Sequence, residues 1–469
     1  MRKCATTDAL SVFIAFSWLL LFAHNGIRAP FSGDDLMNLH LYLSRPPTSL
    51  IADSVRYWSA SYRPLGGLFY VSLYHWFGFD PLPFRLACFG LLALNLGLLQ
   101  RFILRLSGSR EVAFLALLIA AYHAWFVDLY YSTGTVFDLL CYSFFIGALN
   151  VYLSVRTEGR MWTWRRLAAL IALYVCALDA KEMAVSLPVL LAAYEGIYHR
   201  RALLDRGLRW LWREGQGVVA TGLLTLPYIA GKLAGAGSLV ENPAYRLTIS
   251  PARYLHTFHL YLNRLLYQDH VFRDSNTVEL LLLMLALGVA LGSRPLLFAW
   301  CFVLVSLLPV AFIAHYGAFF LYLPMAGWAL YAAVLLHTAR RMLLRRLVRL
   351  RIASIAGLPM LVALFLAPHH QRESITAMRT FQSVQPPSRQ LARELIALCP
   401  RLPRGARVLF VGDPFARDEY FLLFLTRLLY RDMSITVDRA PRSARPGGYD
   451  AVFAFEQGQL TSSIQRTLL

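Results

Sequence analysis

The sequence is short of charged residues. Only 16% of its 469 residues are Asp, Glu, Lys or Arg, against about 25% in an average soluble protein, whereas 57% are hydrophobic. This composition excludes a disordered chain and leaves too little polar surface to cover a single soluble globule. Apolar runs long enough to cross a bilayer recur along most of the chain. Because these runs are continuous rather than alternating, they predict an all-α polytopic membrane protein instead of a β-barrel.

The sequence also lacks the usual cysteine and metal motifs. No CxxC pair occurs among the six cysteines, so neither a disulfide framework nor a thiolate metal site is predicted. No HxxxH or clustered His/Cys/Asp spacing argues for zinc, so no metal ligand is predicted, although a divalent metal stays open as a cofactor. No GxGxxG fingerprint and no tandem repeat is present.

Acidic residues are scarcer than basic ones, 27 against 46, which gives a net charge of +19. Such an excess in a soluble protein suggests nucleic acid, but membrane topology explains it here. The apolar runs predict eleven spans, and the first is interpreted as an uncleaved anchor because no small-residue cleavage site follows it. These spans are 9–28, 84–105, 111–127, 137–155, 166–180, 183–199, 216–233, 276–292, 295–313, 317–336 and 352–367.

The distribution of arginine orients the predicted spans. With a cytoplasmic N-terminus, basic clusters fall in the inner segments, whereas the outer turns 128–136, 181–182 and 314–316 together hold one lysine. The C-terminal tail is then extracytoplasmic, and the basic inner loops face an anionic leaflet. No nucleic-acid partner is needed. The compact loops, without acidic or Ser-rich low-complexity regions, favour a bacterial inner membrane.

Two outer loops, 29–83 and 234–275, and the tail are more than linkers. Residues 64–79 and 252–268 each predict a helix that lies in the membrane interface. The chain thus divides into a transmembrane domain, 1–367, and a small extracytoplasmic α/β domain, 368–469. The tail is predicted to contain helices at 388–398 and 417–430 and strands at 406–411, 435–437 and 451–455.

Polar residues gather at the predicted outer ends of the spans, which predicts one cavity on the outer face because polar groups at membrane depth are costly. The adjacent carboxylates of Asp34 and Asp35 repel each other, which can raise the pKa of one of them so that it serves as a general base. The alternative interpretation is a solvated loop turn, which Ser-Gly-Asp-Asp also favours. The other members of this group are Arg63, His123, Asp128, Asp138, Asp179, Lys181, Glu182, Lys232, His315 and Tyr316.

The cations of this group admit two interpretations. Arg63 and Lys232 can hold a lipid phosphate or extend towards lipid headgroups. Lys181 can likewise hold a phosphate, or form an interfacial ion pair with Glu182. His123 is more often a hydrogen-bonded interior histidine than a ligand. Glu195, near the predicted inner end, is interpreted as structural and able to pair with Arg200.

Several stretches in the same order resemble the GT-C superfamily of membrane glycosyltransferases, and most closely its protein O-mannosyltransferase-like branch. They are SGDDLMN (32–38), YRPLGGLFYVSLYHWFG (62–78), FRLACFGLLALNLGLL (84–99), AKEMAVSLPVLLAAYE (180–195), SLLPVAF (306–312) and FLYLPMAGWAL (320–330). The resemblance implies a GT-C-like fold and transfer of a hexose, such as mannose, from a polyprenyl-phosphate donor. The acceptor is a protein, glycan or lipid hydroxyl, the transfer inverts the anomeric carbon, and a carboxylate is the base.

The resemblance also assigns roles. Asp34 and Asp35 take the acceptor-side acidic role, with Asp35 slightly preferred as the base, and Arg63, Lys181 and Lys232 lie near the donor phosphate. Asp128 matches an acidic residue in the third-span turn. Glu182, His315 and Tyr316 complete the predicted substrate-binding set. Relatives often have a Glu-Arg pair where this chain has Gly317, Ala318, Phe319 and Phe320, so either a donor contact is lost or His315 replaces it.

Two other functions fit the composition. A flippase for a lipid-linked saccharide would place charges near the bilayer midplane and show two related halves, and the sequence shows neither. A non-catalytic envelope scaffold that retains the GT-C shape would tolerate the altered entry to span ten and the absence of a tetratricopeptide tail.

Overall fold

A computed structural model describes residues 2–159, 161–234, 246–268, 270–314, 316–346, 357–416, 419–441, 448–456 and 459–465. This part of the chain is predominantly helical, with a small sheet near its C-terminal end. Its helices are α1 (Arg2–Ala23), α2 (Gly33–Leu43), α3 (Pro47–Val55), α4 (Pro64–Phe77), α5 (Pro81–Ser107), α6 (Arg110–Ala121), α7 (Val127–Tyr131), α8 (Val136–Thr157), α9 (Trp164–Ala180), α10 (Leu187–Tyr198), α11 (Arg200–Arg206), α12 (Leu208–Arg213), α13 (Gln216–Ala234), α14 (Pro251–Leu265), α15 (Asp274–Ala290), α16 (Arg294–Ala311), α17 (Met325–Arg346), α18 (Gly357–Ser383), α19 (Ser388–Leu398) and α20 (Phe421–Leu429). The strands are β1 (Arg407–Val411), β2 (Thr436–Ala440), β3 (Ala451–Glu456) and β4 (Gln459–Gln465).

Four helical segments in the described residues are long and apolar enough to cross a membrane: Thr7–Arg28, Pro81–Ser107, Val136–Thr157 and Arg294–Ala311. A fifth candidate joins Arg110–Ala121 to Ala124–Tyr131 through a bend of 61°. The expected apolar helical architecture is therefore present, and the number of eleven spans stays a prediction. The most buried of these segments is α8, which packs between α5 and α9.

The segment 29–83, expected to be the first outer loop, folds into α2, α3 and α4. Helix α2 begins with a capping box: Ser32 Oγ accepts the Asp35 N–H, and the Asp35 carboxylate accepts the Ser32 N–H. The helix expected at 64–79 is confirmed as α4, which follows Arg63 in the left-handed region (φ 42°) and ends at Gly78 (φ 61°). The helix expected at 252–268 is confirmed as α14. Their position in the membrane interface stays a prediction.

The tail forms a four-stranded sheet of order β2-β1-β3-β4. β1 is parallel to β2 and β3, and β4 is antiparallel to β3. The expected helix at 388–398 is α19, and the three expected strands correspond to β1, β2 and β3. Strand β4 was not predicted. The expected helix at 417–430 begins later, as α20 at Phe421, with residues 417–418 outside the described ranges.

The expected boundary between residues 367 and 368 falls inside α18, which runs unbroken to Ser383 with Pro368 within it. The tail then packs on α2. Arg427 of α20 hydrogen-bonds the His40 imidazole at 3.0 Å, and burial together with the Arg427 charge lowers the pKa of His40. The Gly33 N–H donates to Gln385 Oε1 at 3.2 Å. These contacts place the turn between α18 and α19 directly over the start of α2.

Candidate functional site

The two adjacent aspartates at the start of α2 have opposite environments. Asp35 is fully buried, and its carboxylate forms an ion pair with Arg85 at 2.7 Å. It also accepts hydrogen bonds at 2.7–2.9 Å from Ser32 N, Ser132 Oγ, Thr133 Oγ1 and Gly134 N. Five donors occupy the roughly four lone-pair directions of a carboxylate. Asp35 is thus a structural anchor between α2, α5 and the 132–135 turn, which argues against the preference for Asp35 as the base.

The Asp34 carboxylate, by contrast, is open to solvent and accepts no hydrogen bond from a described residue. The bare Gly134 lets it approach closely, since a Cβ there would lie 2.8 Å from Asp34 Cβ. Protein surrounds the side chain on several sides, and this partial burial, together with the Asp35 charge, raises the pKa of Asp34. A carboxylate with a raised pKa and a free lone pair has the properties of a general base.

Asp128 lies close enough to Asp34 for the two charges to interact. Its backbone carbonyl accepts the Ser132 N–H at 2.9 Å and the Thr135 hydroxyl at 3.2 Å, which fixes the turn after α7. The half-buried carboxylate has no hydrogen bond from another described residue. The structure therefore pairs Asp34 with Asp128, which lies 94 positions away in the sequence.

Arg63 and Glu182, which are distant in the sequence, form a two-pronged ion pair. Arg63 Nε and Nη2 donate to Glu182 Oε1 and Oε2 at 3.3 and 2.8 Å. The Arg63 guanidinium also lies over the rings of Tyr62 and Phe137, 4.7 and 5.2 Å from their centroids. Burial alone would raise the pKa of Glu182, but Arg63 outweighs this and lowers it to about 2. The expected Lys181–Glu182 pair does not form here, because Arg63 takes the carboxylate.

Lys181 pairs with Asp138 instead, and both side chains are buried. Its ammonium lies 4.8 and 4.3 Å from the ring centroids of Phe319 and Phe320. These are the residues that replace the charged pair of the GT-C pattern. Lys181 is thereby enclosed, so the structure does not present it to a phosphate in the way the resemblance implied.

Lys232 lies at the polar end of an apolar groove of about 290 Å³. Its Nζ donates to the Ser61 carbonyl at 2.6 Å, and the groove continues between α13 and α16. The lining combines three charged residues with ten others that are nearly all aliphatic or aromatic: Arg63, Glu182, Val185, Tyr228, Ile229, Lys232, Leu233, Leu247, Ile249, Pro309, Val310, Ile313 and Phe320. An elongated apolar ligand with an anionic head matches this arrangement.

The remaining predicted site residues are His123, Tyr316, His315 and Asp179. His123 is buried, with Nε2 3.0 Å from the Leu265 carbonyl and its ring stacked on Tyr267, so the structural interpretation fits it. The Tyr316 ring stacks on Tyr261 at 4.8 Å. His315 lies outside the described residues. Asp179 is close enough to Lys232 for their charges to interact.

No protein-family model matches the chain, and no curated protein is significantly similar to it. The resemblance to the GT-C superfamily therefore stays a prediction.

The arrangement separates two chemical tasks. A carboxylate pair, Asp34 and Asp128, can accept a proton, and an apolar groove that ends at Arg63 and Lys232 can hold an anionic amphiphile. The carboxylate pair and the groove are coupled electrostatically, because the charge of Asp138 interacts with those of both Asp128 and Arg63. Arg85 and the donors of residues 132–134 are not among the predicted site residues, because nothing in local spacing shows that they bind Asp35.

Proposed function

We propose that this chain is a membrane glycosyltransferase that moves a hexose from a polyprenyl-phosphate donor to a hydroxyl acceptor on the extracytoplasmic face. The observation that carries the proposal is the apolar groove closed at one end by Arg63, Glu182 and Lys232. The apolar walls of the groove would bind the lipid chain, and its cations would bind the phosphate. Mannose is the first sugar to test, since the GT-C resemblance names it.

The proposal includes the topology of eleven spans, a cytoplasmic N-terminus and an extracytoplasmic tail in a bacterial inner membrane. The alternation of arginine-rich and arginine-poor segments supports it. The long apolar helices α5, α8 and α16 are compatible with it. Labelling of single introduced cysteines from either side of the membrane tests each loop separately.

On the donor side, Lys232 is the main phosphate ligand. An ammonium has three N–H donors, and the Ser61 carbonyl takes one of those of Lys232. Arg63 adds positive charge beside it and is fixed in direction by Glu182. Lys181 supports the site from behind, where it neutralises Asp138.

On the acceptor side, Asp34 is the base. Its carboxylate takes the hydroxyl proton of the acceptor while the acceptor oxygen forms a bond to the anomeric carbon. The bond between that carbon and the phosphate oxygen breaks, its electron pair leaves with the polyprenyl phosphate, and the configuration inverts. No acid is required for departure, because the phosphate leaves as an anion that Lys232 and Arg63 stabilise.

The test is transfer from labelled polyprenyl-phosphate mannose to an envelope acceptor extract by the purified protein, with donor binding measured in parallel. Asp34→Asn should reduce transfer by about 10²–10⁴-fold and leave donor binding intact, since a general base contributes about that much. Arg63→Gln should weaken donor binding by about 10–150-fold, the equivalent of a charge-assisted hydrogen bond. Asp205→Asn, exposed on α11, is the matched control.

A non-catalytic scaffold is the second candidate, and the enclosure of Lys181 by Phe319 and Phe320 favours it. It predicts the same donor-binding groove but no turnover with any acceptor. Donor binding that depends on Arg63, together with equal background transfer by wild type and Asp34→Asn, would select the scaffold. Absence of binding with every polyprenyl-phosphate hexose tested would refute both.

A further inference from the structure

A second cluster of ligand-type side chains lies apart from the carboxylates and groove described above. His256 and His259 are one turn apart on α14, and Asp274 begins α15. One potential ligand atom from each residue lies within 4.8 Å of the other two. The Nδ1 atom of His259 is 2.6 Å from Asp274 Oδ1, and the two imidazole centroids are 4.9 Å apart.

We propose that His256, His259 and Asp274 form a Zn²⁺ site. Two imidazole nitrogens and one carboxylate oxygen are a ligand set that suits zinc, with a water in the fourth position of the tetrahedron. The i, i+3 spacing brings both imidazoles to one face of the helix. His256 and Asp274 are exposed, so an ion can enter from solvent and keep its water.

A simple hydrogen bond between His259 and Asp274 accounts for only two of the three residues. The His256 imidazole meets the His259 ring edge to face and has no hydrogen bond with another described residue. An ion shared by both rings and the carboxylate explains why all three converge. The signal in the sequence was the HTFH stretch at 256–259, which becomes informative only when Asp274 is placed beside it.

The ion would fix the connection between α14 and α15. This connection is already held by Asn263, whose amide bonds both the N–H and the carbonyl of Phe272. Tyr267 and His270 within it have positive φ angles of 55° and 62°. A bond network through zinc would tie the two helices together across this turn, so the expected effect of binding is stabilisation of the folded protein.

The experiment uses the full-length protein in detergent, stripped with a chelator and re-equilibrated with ZnCl₂. Wild type should retain one zinc per chain after gel filtration and unfold at a higher temperature with zinc than without it. His256→Ala should lose both effects, and Asp274→Asn should lose them as well. His75→Ala is the control, because His75 is an exposed helical histidine on α4 outside the cluster.

Retention of zinc by His256→Ala at the wild-type level would overturn the proposal, as would the absence of zinc from wild type. Because His256 is exposed, its replacement should not disturb folding, and circular dichroism checks this. If zinc leaves the unfolding temperature of wild type unchanged while Asp274→Asn still lowers it, the cluster is reduced to the His259–Asp274 hydrogen bond. The site shares no residue with the proposed glycosyltransferase centre, so either proposal can fail alone.

Discussion

The two ends of α8 carry charged clusters of similar composition and different character. Asp138 and Arg156 lie on the same helix, 18 residues and therefore about 27 Å apart. At the Arg156 end, Glu195 accepts hydrogen bonds from Tyr152 and Arg156 at 2.7 Å, and Glu214 pairs with Arg156 and Arg206. At the Asp138 end, two further carboxylates, Asp34 and Asp128, have no such partners among the described residues.

The two clusters therefore differ in how completely their carboxylates are paired, and this difference is the basis on which Asp34 and Asp128 are proposed as reactive groups. A cluster whose charged groups are all paired with one another has no free group to bind a substrate. A cluster that leaves carboxylates unpaired carries a cost in folding free energy and keeps reactive groups available. Neighbouring Asp34 and Asp35 show the same contrast within a single turn of α2.

The largest expected effect is on stability at the Arg156 end. Arg156→Met should destabilise the protein by about 3–5 kcal/mol, because it leaves the fully buried Glu195 carboxylate without its cation. Donor binding by the folded fraction should not change. Unfolding in denaturing detergent and donor binding measure the two effects, and a loss of donor affinity per folded molecule would contradict the separation of the two ends.

At the opposite end, Gly134→Ala should impair transfer more than stability. The new Cβ would lie 2.8 Å from Asp34 Cβ and 3.1 Å from Ser132 Oγ, so the Asp34 carboxylate must move. A displacement of this kind can reduce the transfer rate by about 100-fold with donor affinity unchanged. Single-turnover transfer is the measurement. Gly90→Ala, with no atom near its new Cβ, should behave like wild type.

The pH dependence of transfer sharpens the assignment of Asp34. The base must be deprotonated, so transfer should fall as pH decreases through a midpoint above the ordinary carboxyl value of 3.8. A raised pKa in the folded state also means that the charged form destabilises the fold at neutral pH, so Asp34→Asn should not lower the unfolding temperature. An acid limb centred at or below 3.8 would speak against this base.

The smallest expected effect concerns Arg200, the partner expected for Glu195 in the sequence. That expectation was wrong, because Arg156 holds Glu195 and Arg200 is exposed. Arg200→Gln should change stability by no more than about 0.5 kcal/mol. A much larger loss in the same unfolding assay would show that Arg200 also belongs to the cluster.

Local pattern predicted the helices and strands better than it predicted their partners. Helix α19 has the expected bounds, and α4 and α14 begin within a residue of expectation, because their prolines and apolar spacing are local signals. Strand β4 was not predicted because its sequence, QLTSSIQ, has little apolar alternation, and the strand forms by pairing with β3.

The sequence predicts a group of candidate site residues, but it does not predict which of them pair with one another. The prediction that polar side chains gather at the outer ends of the spans rests on their avoidance of lipid, and it stays a prediction. Asp35 rather than Asp34 has its hydrogen bonds filled because Arg85 and the 132–134 turn contact it. Arg63 binds Glu182 because the fold brings together two residues that are 119 positions apart in the sequence. The same long-range packing turned Lys181 towards Asp138.

The anchoring of Asp35 has a consequence for the order of events during synthesis. Three of its donors come from residues 132–134, which leave the ribosome 97–99 positions after Asp35. At a synthesis rate of about 5–20 residues per second, these donors are made roughly 5–20 seconds after Asp35. Until then the Asp35 carboxylate has donors only from Ser32 and Arg85, so its full set of hydrogen bonds forms only after the α7–α8 turn has been made.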